Sequence, residues 1–203
     1  MPLPLLRNAI SGHHDALLPH YPTQLGIAAS LVRSASAAAR ALGGQLYTLL
    51  FEEFAQAHLR QELIGELLTH AGSGGASEVD AALSVLVQMA TANAKALAVF
   101  SSFLTGVLDY LDGLTVPQAR LAFELFARIA YDAGESGGSR LADELHITIR
   151  KQLTSPAPRY KSLGVLGGCC LLGRLGAREA GAGGAHGAAA AADAEDSAAE
   201  LDP

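Results

Sequence analysis

At 203 residues, half of them apolar but none tryptophan, the chain is long enough for one ordinary domain or for a stretch of a longer helical array. Much of the apolar count is alanine, which favours helices but buries little area, so a core has to rest on Leu, Ile, Val and Phe. The formal charge of −6 argues against a generally basic nucleic-acid binder.

Residues 1–22 carry Pro2, Pro4, Pro19 and Pro22 among His and Gly, which predicts a loosely ordered lead-in. Its opening apolar run is too short for a secretory signal. His13, His14 and Asp15, with His20 nearby, are the best metal candidates. No second ligand pair at defined spacing supports them, so they are expected to be solvated and no metal is predicted.

A helix is expected from Gln24 to Leu42, stopped by Gly43 and Gly44, and a second from about Gln45 to His58. A third, roughly Arg60 to His70, has Leu63, Ile64, Leu67 and Leu68 on one stripe and ends in Gly72-Ser73-Gly74-Gly75. Ser77 is then the expected N-cap of a helix that buries Val79, Leu83, Leu86 and Val87. Val99, Phe103, Val107 and Leu111 recur every four residues and predict a helix from about Ala96 to Leu111.

Thr115 and Gln118 fit a capping box, with Pro117 in the first turn, where its missing N–H costs little. The helix that follows uses Leu121, Leu125, Phe126 and Ile129. Another, capped by Ser139, turns Leu141, Leu145, Ile149 and Leu153 inward until Pro156. Tyr160 to Leu172 is expected as the last helix. From about Gly173 the chain turns to Ala, Gly and acid, a composition that predicts a disordered tail over 173–203 with only transient helix.

No period-two strand pattern recurs. Successive amphipathic helices over 23–172 predict an all-α chain, an irregular α-solenoid of antiparallel helical repeats. No apolar run reaches the ~18–20 residues of a membrane helix, so no membrane partner is expected. The only cysteines, Cys169 and Cys170, form neither a disulfide framework nor a zinc spacing and predict a reducing compartment.

Catalytic signals are weak. The glycines of GVLGGCCLLG lack the Lys-Ser/Thr of a phosphate loop. Three paired acids, Glu52 with Glu53, Asp109 with Asp112 and Asp143 with Glu144, have nothing that forces them into one cleft. No enzyme activity and no cofactor are predicted. The basic residues concentrate between Arg140 and Arg178, where Asp143 and Glu144 are the only acids, so that segment is the candidate for phosphate contact.

Three strings carry more information than composition. QELIGELLTHAGSGGASEVDAALSVL (Gln61 to Leu86), GVLDYLDGLTVPQAR (Gly106 to Arg120) and DELHITIRKQLTSPAPRYKSLGVLGG (Asp143 to Gly168) resemble, in order and at similar intervals, segments of the Fanconi anaemia group D2 family. With a weaker likeness from about Tyr21, the resemblance covers most of the chain. It implies a piece of a large nuclear α-solenoid that pairs with the Fanconi anaemia group I protein and, once monoubiquitinated, closes as a clamp on DNA. The family role is repair of interstrand cross-links, with fork protection and meiotic chromosome pairing and break repair. Family members are much longer, so the chain resembles an internal fragment.

The sequence departs from the family where the ubiquitin-acceptor lysine is expected, in VFSSFLTGVLDYLD. The aligned position is Thr105, and a hydroxyl cannot form the usual isopeptide bond. The modification is therefore lost, moved to Lys95, Lys151 or Lys161, or obscured by a local error in the sequence. Arg150, Lys151, Arg159 and Lys161 are the candidate DNA contacts. The rival expectation is a helical-repeat adaptor that binds protein and no nucleic acid.

Overall fold

The computed structural model describes the backbone of residues 3–198 and the side chains of residues 4–134 and 138–179. Every regular element among them is helical: α1 (Leu3–Gly12), α2 (His14–Leu17), α3 (Tyr21–Val32), α4 (Ala37–Glu53), α5 (Ala57–Ser73), α6 (Ala76–Ala98), α7 (Ser101–Leu104), α8 (Val116–Asp132), α9 (Glu135–Thr154) and α10 (Pro158–Ala198). Short 3-10 helices cover Leu18–His20 and Thr105–Tyr110.

From α3 onward the helices alternate between two layers. α4, α6, α8 and α10 lie side by side in one; α3, α5, the α7/3-10 segment and α9 form the other. This is the all-α repeat array that the amphipathic pattern predicts. The seam between the layers holds the largest buried side chains: Tyr47 of α4 and Phe54 just past its end, Leu63 and Leu67 of α5, Leu83 and Leu86 of α6, Phe123 and Phe126 of α8. Each such residue contributes about 1.5–3 kcal/mol by leaving water.

Several boundaries differ from expectation. The proline-rich lead-in is helical: Pro19 and Pro22 occupy first-turn positions, where proline is tolerated, and Ile10 and Tyr21 are buried in the core. Gly43 and Gly44 stop no helix. The chain breaks earlier, at Arg33–Ser36, where the Ser36 hydroxyl accepts the Ala39 N–H, and both glycines lie buried inside α4. A Cβ on Gly43 would stand 2.8 Å from Leu31 Cβ and 2.9 Å from the Val32 nitrogen; one on Gly44 would stand 2.8 Å from Val85 Cγ2. They are contact glycines that let α3 and α6 approach α4.

Gly75, not Ser77, precedes the first turn of α6, and Gly134, at φ +84°, not Ser139, precedes that of α9. α6 has 23 residues and is long and apolar enough to match a membrane span, contrary to expectation. Here it is a core helix, with Val79, Leu83, Leu86 and Met89 buried. α10 does not end near Leu172. Its backbone stays helical to Ala198, as alanine's high propensity favours, and Arg174 ties the first part of the predicted tail to Asp132 of α8. The side chains of residues 180–203 lie outside the described set.

Candidate modification site and basic surface

Thr105 sits on the least regular part of the array. α6 is interrupted at Asn93 (φ −155°, ψ 76°), whose side-chain oxygen accepts the Ala96 N–H at 2.9 Å and restarts a short helical end. The next slot in the opposite layer should hold one helix over 96–111. It holds α7 and a 3-10 turn instead. A spacing of four overshoots a helical turn by about 40° each time, so Val99 and Leu111 cannot share one stripe. Val99 is 73% exposed and Phe103 48%, while Leu104, Val107, Leu111 and Leu114 point inward at alternating spacings of three and four.

The Thr105 side chain is half-buried, and its hydroxyl donates to the Ser102 carbonyl at 3.1 Å. It borders a small cleft with Ser101, Ser102, Arg140 and Glu144. Lys95 is exposed on the other side of the array, in a cleft with Tyr131, Asp132, Arg174 and Arg178. Lys151 faces the 3-10 segment directly: one cleft of about 550 Å³ is lined by Leu108, Asp109 and Asp112 from that region and by Lys151, Gln152 and Tyr160. Lys161 is exposed in the first turn of α10.

The basic run from Arg140 to Arg178 does not form one face. Arg159 is a clasp: its guanidinium donates to the Leu114 carbonyl at 3.1 Å and to the Asp112 carbonyl, and Tyr160 donates to the Asp112 carboxylate at 3.2 Å. This holds the start of α10 to the turn before α8. Arg150, Lys151 and Lys161 are exposed, although Asp109 and Asp112 share the cleft of Lys151. Arg174 is a bidentate partner of Asp132, at 2.5 and 2.9 Å.

Glu52 accepts from Arg7 at 2.8 Å, and Glu53 accepts from Ser11 at 2.7 Å. Asp143 and Glu144 are exposed. Among the described residues no group of three or more His, Cys, Asp or Glu gathers as a metal site. The histidine cluster of the lead-in is split: His14 stacks on Phe54 at 4.8 Å, while His13 and His20 are exposed. Cys169 and Cys170 are unpaired thiols, and burial pushes the Cys170 thiol up, with Arg120 pulling the other way.

A buried polar network escapes sequence inspection. His70 is 1% exposed, its Nε2 3.1 Å from the Tyr47 hydroxyl and its Nδ1 against Glu78. Arg33, at the end of α3, reaches Glu66 at 3.0 Å and Glu78 at 3.7 Å. The only local signal is the i, i+4 pair Glu66–His70, which is common on exposed helix faces.

A family model described as "Fanconi anaemia protein FancD2 nuclease" matches residues 1–198. The chain is 34% identical over 169 residues to a Fanconi anemia group D2 protein homolog of Mus musculus and 33% identical over 169 residues to that of Rattus norvegicus. It is 30% identical over 173 residues to the Fanconi anemia group D2 protein of Gallus gallus. These alignments cover 83%, 83% and 85% of this chain but 12% of each relative, so the chain spans about an eighth of the length of the curated relatives it matches.

Proposed function

For a chain that belongs to the Fanconi anaemia D2 family, we propose the role of a non-enzymatic scaffold segment in DNA repair, acting in the nucleus on interstrand cross-links. The observation that carries this reading is the family match over residues 1–198, laid on a two-layer helical array. The partner that fits such an array is the paralogous group I protein, with DNA as the second ligand. The family's roles in fork protection and in meiotic pairing and break repair belong to the same reading. Of the retained lysines, Lys151 is the candidate ubiquitin acceptor, because it alone shares a cleft with the 3-10 segment that carries Thr105.

Disruption of the gene tests the role. Cells lacking it are expected to die at lower doses of a DNA cross-linking agent and to be rescued by the intact gene. Equal survival would overturn the proposal. Recovery of a protein partner without any DNA binding would favour the adaptor reading.

The word "nuclease" in the family description supports a second reading. A metal-dependent nuclease gathers carboxylates around divalent ions. Here Glu52, Glu66, Glu124 and Asp132 are each engaged by an arginine on a neighbouring element or turn, which favours the scaffold. Cleavage of labelled DNA by the purified protein with Mg²⁺ or Mn²⁺ would establish the nuclease instead.

A further inference from the structure

Two clefts adjoin on the face built by α6, α8 and α10, and they share Arg174. One, of about 560 Å³, lies in the α8–α10 groove beside Arg120, Glu124 and Arg128. The other, of about 540 Å³, lies where the interrupted end of α6 meets the α8–α9 turn, beside Lys95, Asp132 and Arg178. Together their linings hold five cations and two carboxylates among the described residues. Both carboxylates are already engaged, Glu124 by Arg128 at 2.8 Å and Asp132 by Arg174 at 2.5 Å. The surplus charge therefore sits on Lys95, Arg120 and Arg178, one on each of three helices, and all three are exposed.

We infer that this track holds the phosphodiester backbone of duplex DNA, without regard to sequence. The shape supports an extended polyanion over a single anion. Along α10, from the level of Leu166 to that of Arg178, the track runs about 18 Å. That equals the rise of about five base pairs at 3.4 Å each. Four of the five cations (Arg120, Arg128, Arg174, Arg178) are arginines, whose planar fork suits phosphate oxygens. The ligand is a duplex because the clefts offer no exposed ring on which unpaired bases would stack: Tyr131 is half-buried, with its hydroxyl 2.8 Å from His146 Nε2.

The C-terminal ends of α6 and α8 bring partial negative charge to the second cleft, and Lys95 and Arg178 together exceed it. The face is distinct from the segment around Arg150 and Lys151, where Asp109 and Asp112 share the cleft and Arg159 is held by carbonyls. That the nucleic acid is DNA rather than RNA rests on the repair reading above.

The test is fluorescence anisotropy of the whole chain with a fluorescein-labelled DNA duplex of random sequence, titrated with salt. Lys95→Gln/Arg178→Gln is expected to weaken binding tenfold or more, and removal of two phosphate contacts should flatten the slope of log K against log salt by about 1.8. An unchanged thermal melt shows that the variant is folded. Binding equal to that of the unsubstituted chain overturns the track, as does weakening by Arg150→Gln/Lys151→Gln alone, or displacement of the duplex by polyglutamate as readily as by unlabelled duplex. Absence of duplex binding also overturns it. Capture of the group I protein and cross-link survival, measured in parallel, report on the scaffold reading separately.

Discussion

His70 Nδ1 lies 2.5 Å from Glu78 Oε1 across the turn between α5 and α6, at the edge of a core made mostly of apolar side chains. The imidazole's other nitrogen meets the Tyr47 hydroxyl of α4, so one ring joins three helices. A buried group that loses its partner keeps its desolvation penalty, about 1–3 kcal/mol. His70→Ala and Glu78→Ala are each expected to destabilise by that amount in urea unfolding, and the double variant by less than the sum. Strict additivity would show that the pair is not coupled.

The two most deeply buried tyrosines predict the alkaline limit of stability. Burial pushes the Tyr21 and Tyr47 hydroxyls far above their ordinary value of 10.0, with Glu62 and Glu66 respectively adding to the effect. The neutral forms are held in place: Tyr21 donates to the Leu59 carbonyl at 2.8 Å, and Tyr47 meets His70. As pH rises past the ordinary value, the unfolded chain releases these protons and the folded chain keeps them. Stability is therefore full below that pH and falls above it. Urea midpoints measured against pH should drop on the alkaline side, and Tyr21→Phe/Tyr47→Phe should flatten the drop while costing stability at neutral pH. An equally steep alkaline limb in the variant would assign the loss to other groups.

Two glycines predict opposite outcomes for the same substitution. Gly43→Ala gains helix propensity, about 1 kcal/mol, but presses a methyl against Leu31 and the Val32 backbone. Overpacking of that kind costs about 1–3 kcal/mol, so a net loss is expected. Gly65, inside α5, has nothing within 4 Å of its missing Cβ, and Gly65→Ala is expected to raise the thermal midpoint. A stabilised Gly43→Ala would mean that α3 can move away from α4.

How much of this was legible depended on range. The cap at Thr115 was readable because its signals lie within four residues: Thr115 accepts the Gln118 N–H, Gln118 accepts the Thr115 N–H, and Pro117 needs no partner. The stripe of Leu63, Ile64 and Leu67 was equally local. Gly43 and Gly44 look like a stop because the residues that need them small, Leu31 and Val85, are distant in sequence or on another helix. The segment over 96–111 departs from a single helix for a related reason: Asn93 and Gly106 carry little periodic signal, and the repeat of four drifts off any one face. At the site, Thr105 was found by resemblance, whereas the split of the basic run into a clasp at Arg159 and an ion pair at Arg174 depends on tertiary contacts.

Gln118 extends the cap into a tertiary tie. Its side-chain nitrogen donates to the Ala76 carbonyl at 3.2 Å and to Asp80 at 2.8 Å, so the start of α8 is fixed to the start of α6. Loss of a cap alone costs about 0.5–2 kcal/mol. Thr115→Ala should fall in that range, whereas Gln118→Ala is expected to cost more, because it also strands the partners on α6. Equal losses in chemical denaturation would mean that the tie to α6 contributes nothing.

An isopeptide needs an amine, and the Thr105 hydroxyl is already bonded to the carbonyl of its own turn. Lys95 opens onto the α6–α8–α10 face, away from the cleft shared by the 3-10 segment and α9. An enzyme that approaches the 3-10 segment therefore meets Lys151 among the three candidate lysines. In cells treated with a cross-linking agent, the protein is expected to gain the mass of one ubiquitin, and Lys151→Arg is expected to remove that gain while Lys95→Arg and Lys161→Arg leave it. A gain lost only with Lys95 or Lys161 would place the acceptor outside the cleft of Lys151. No gain in the natural chain, but one in Thr105→Lys, would show that the approach surface persists and that the loss of the amine alone ended the modification.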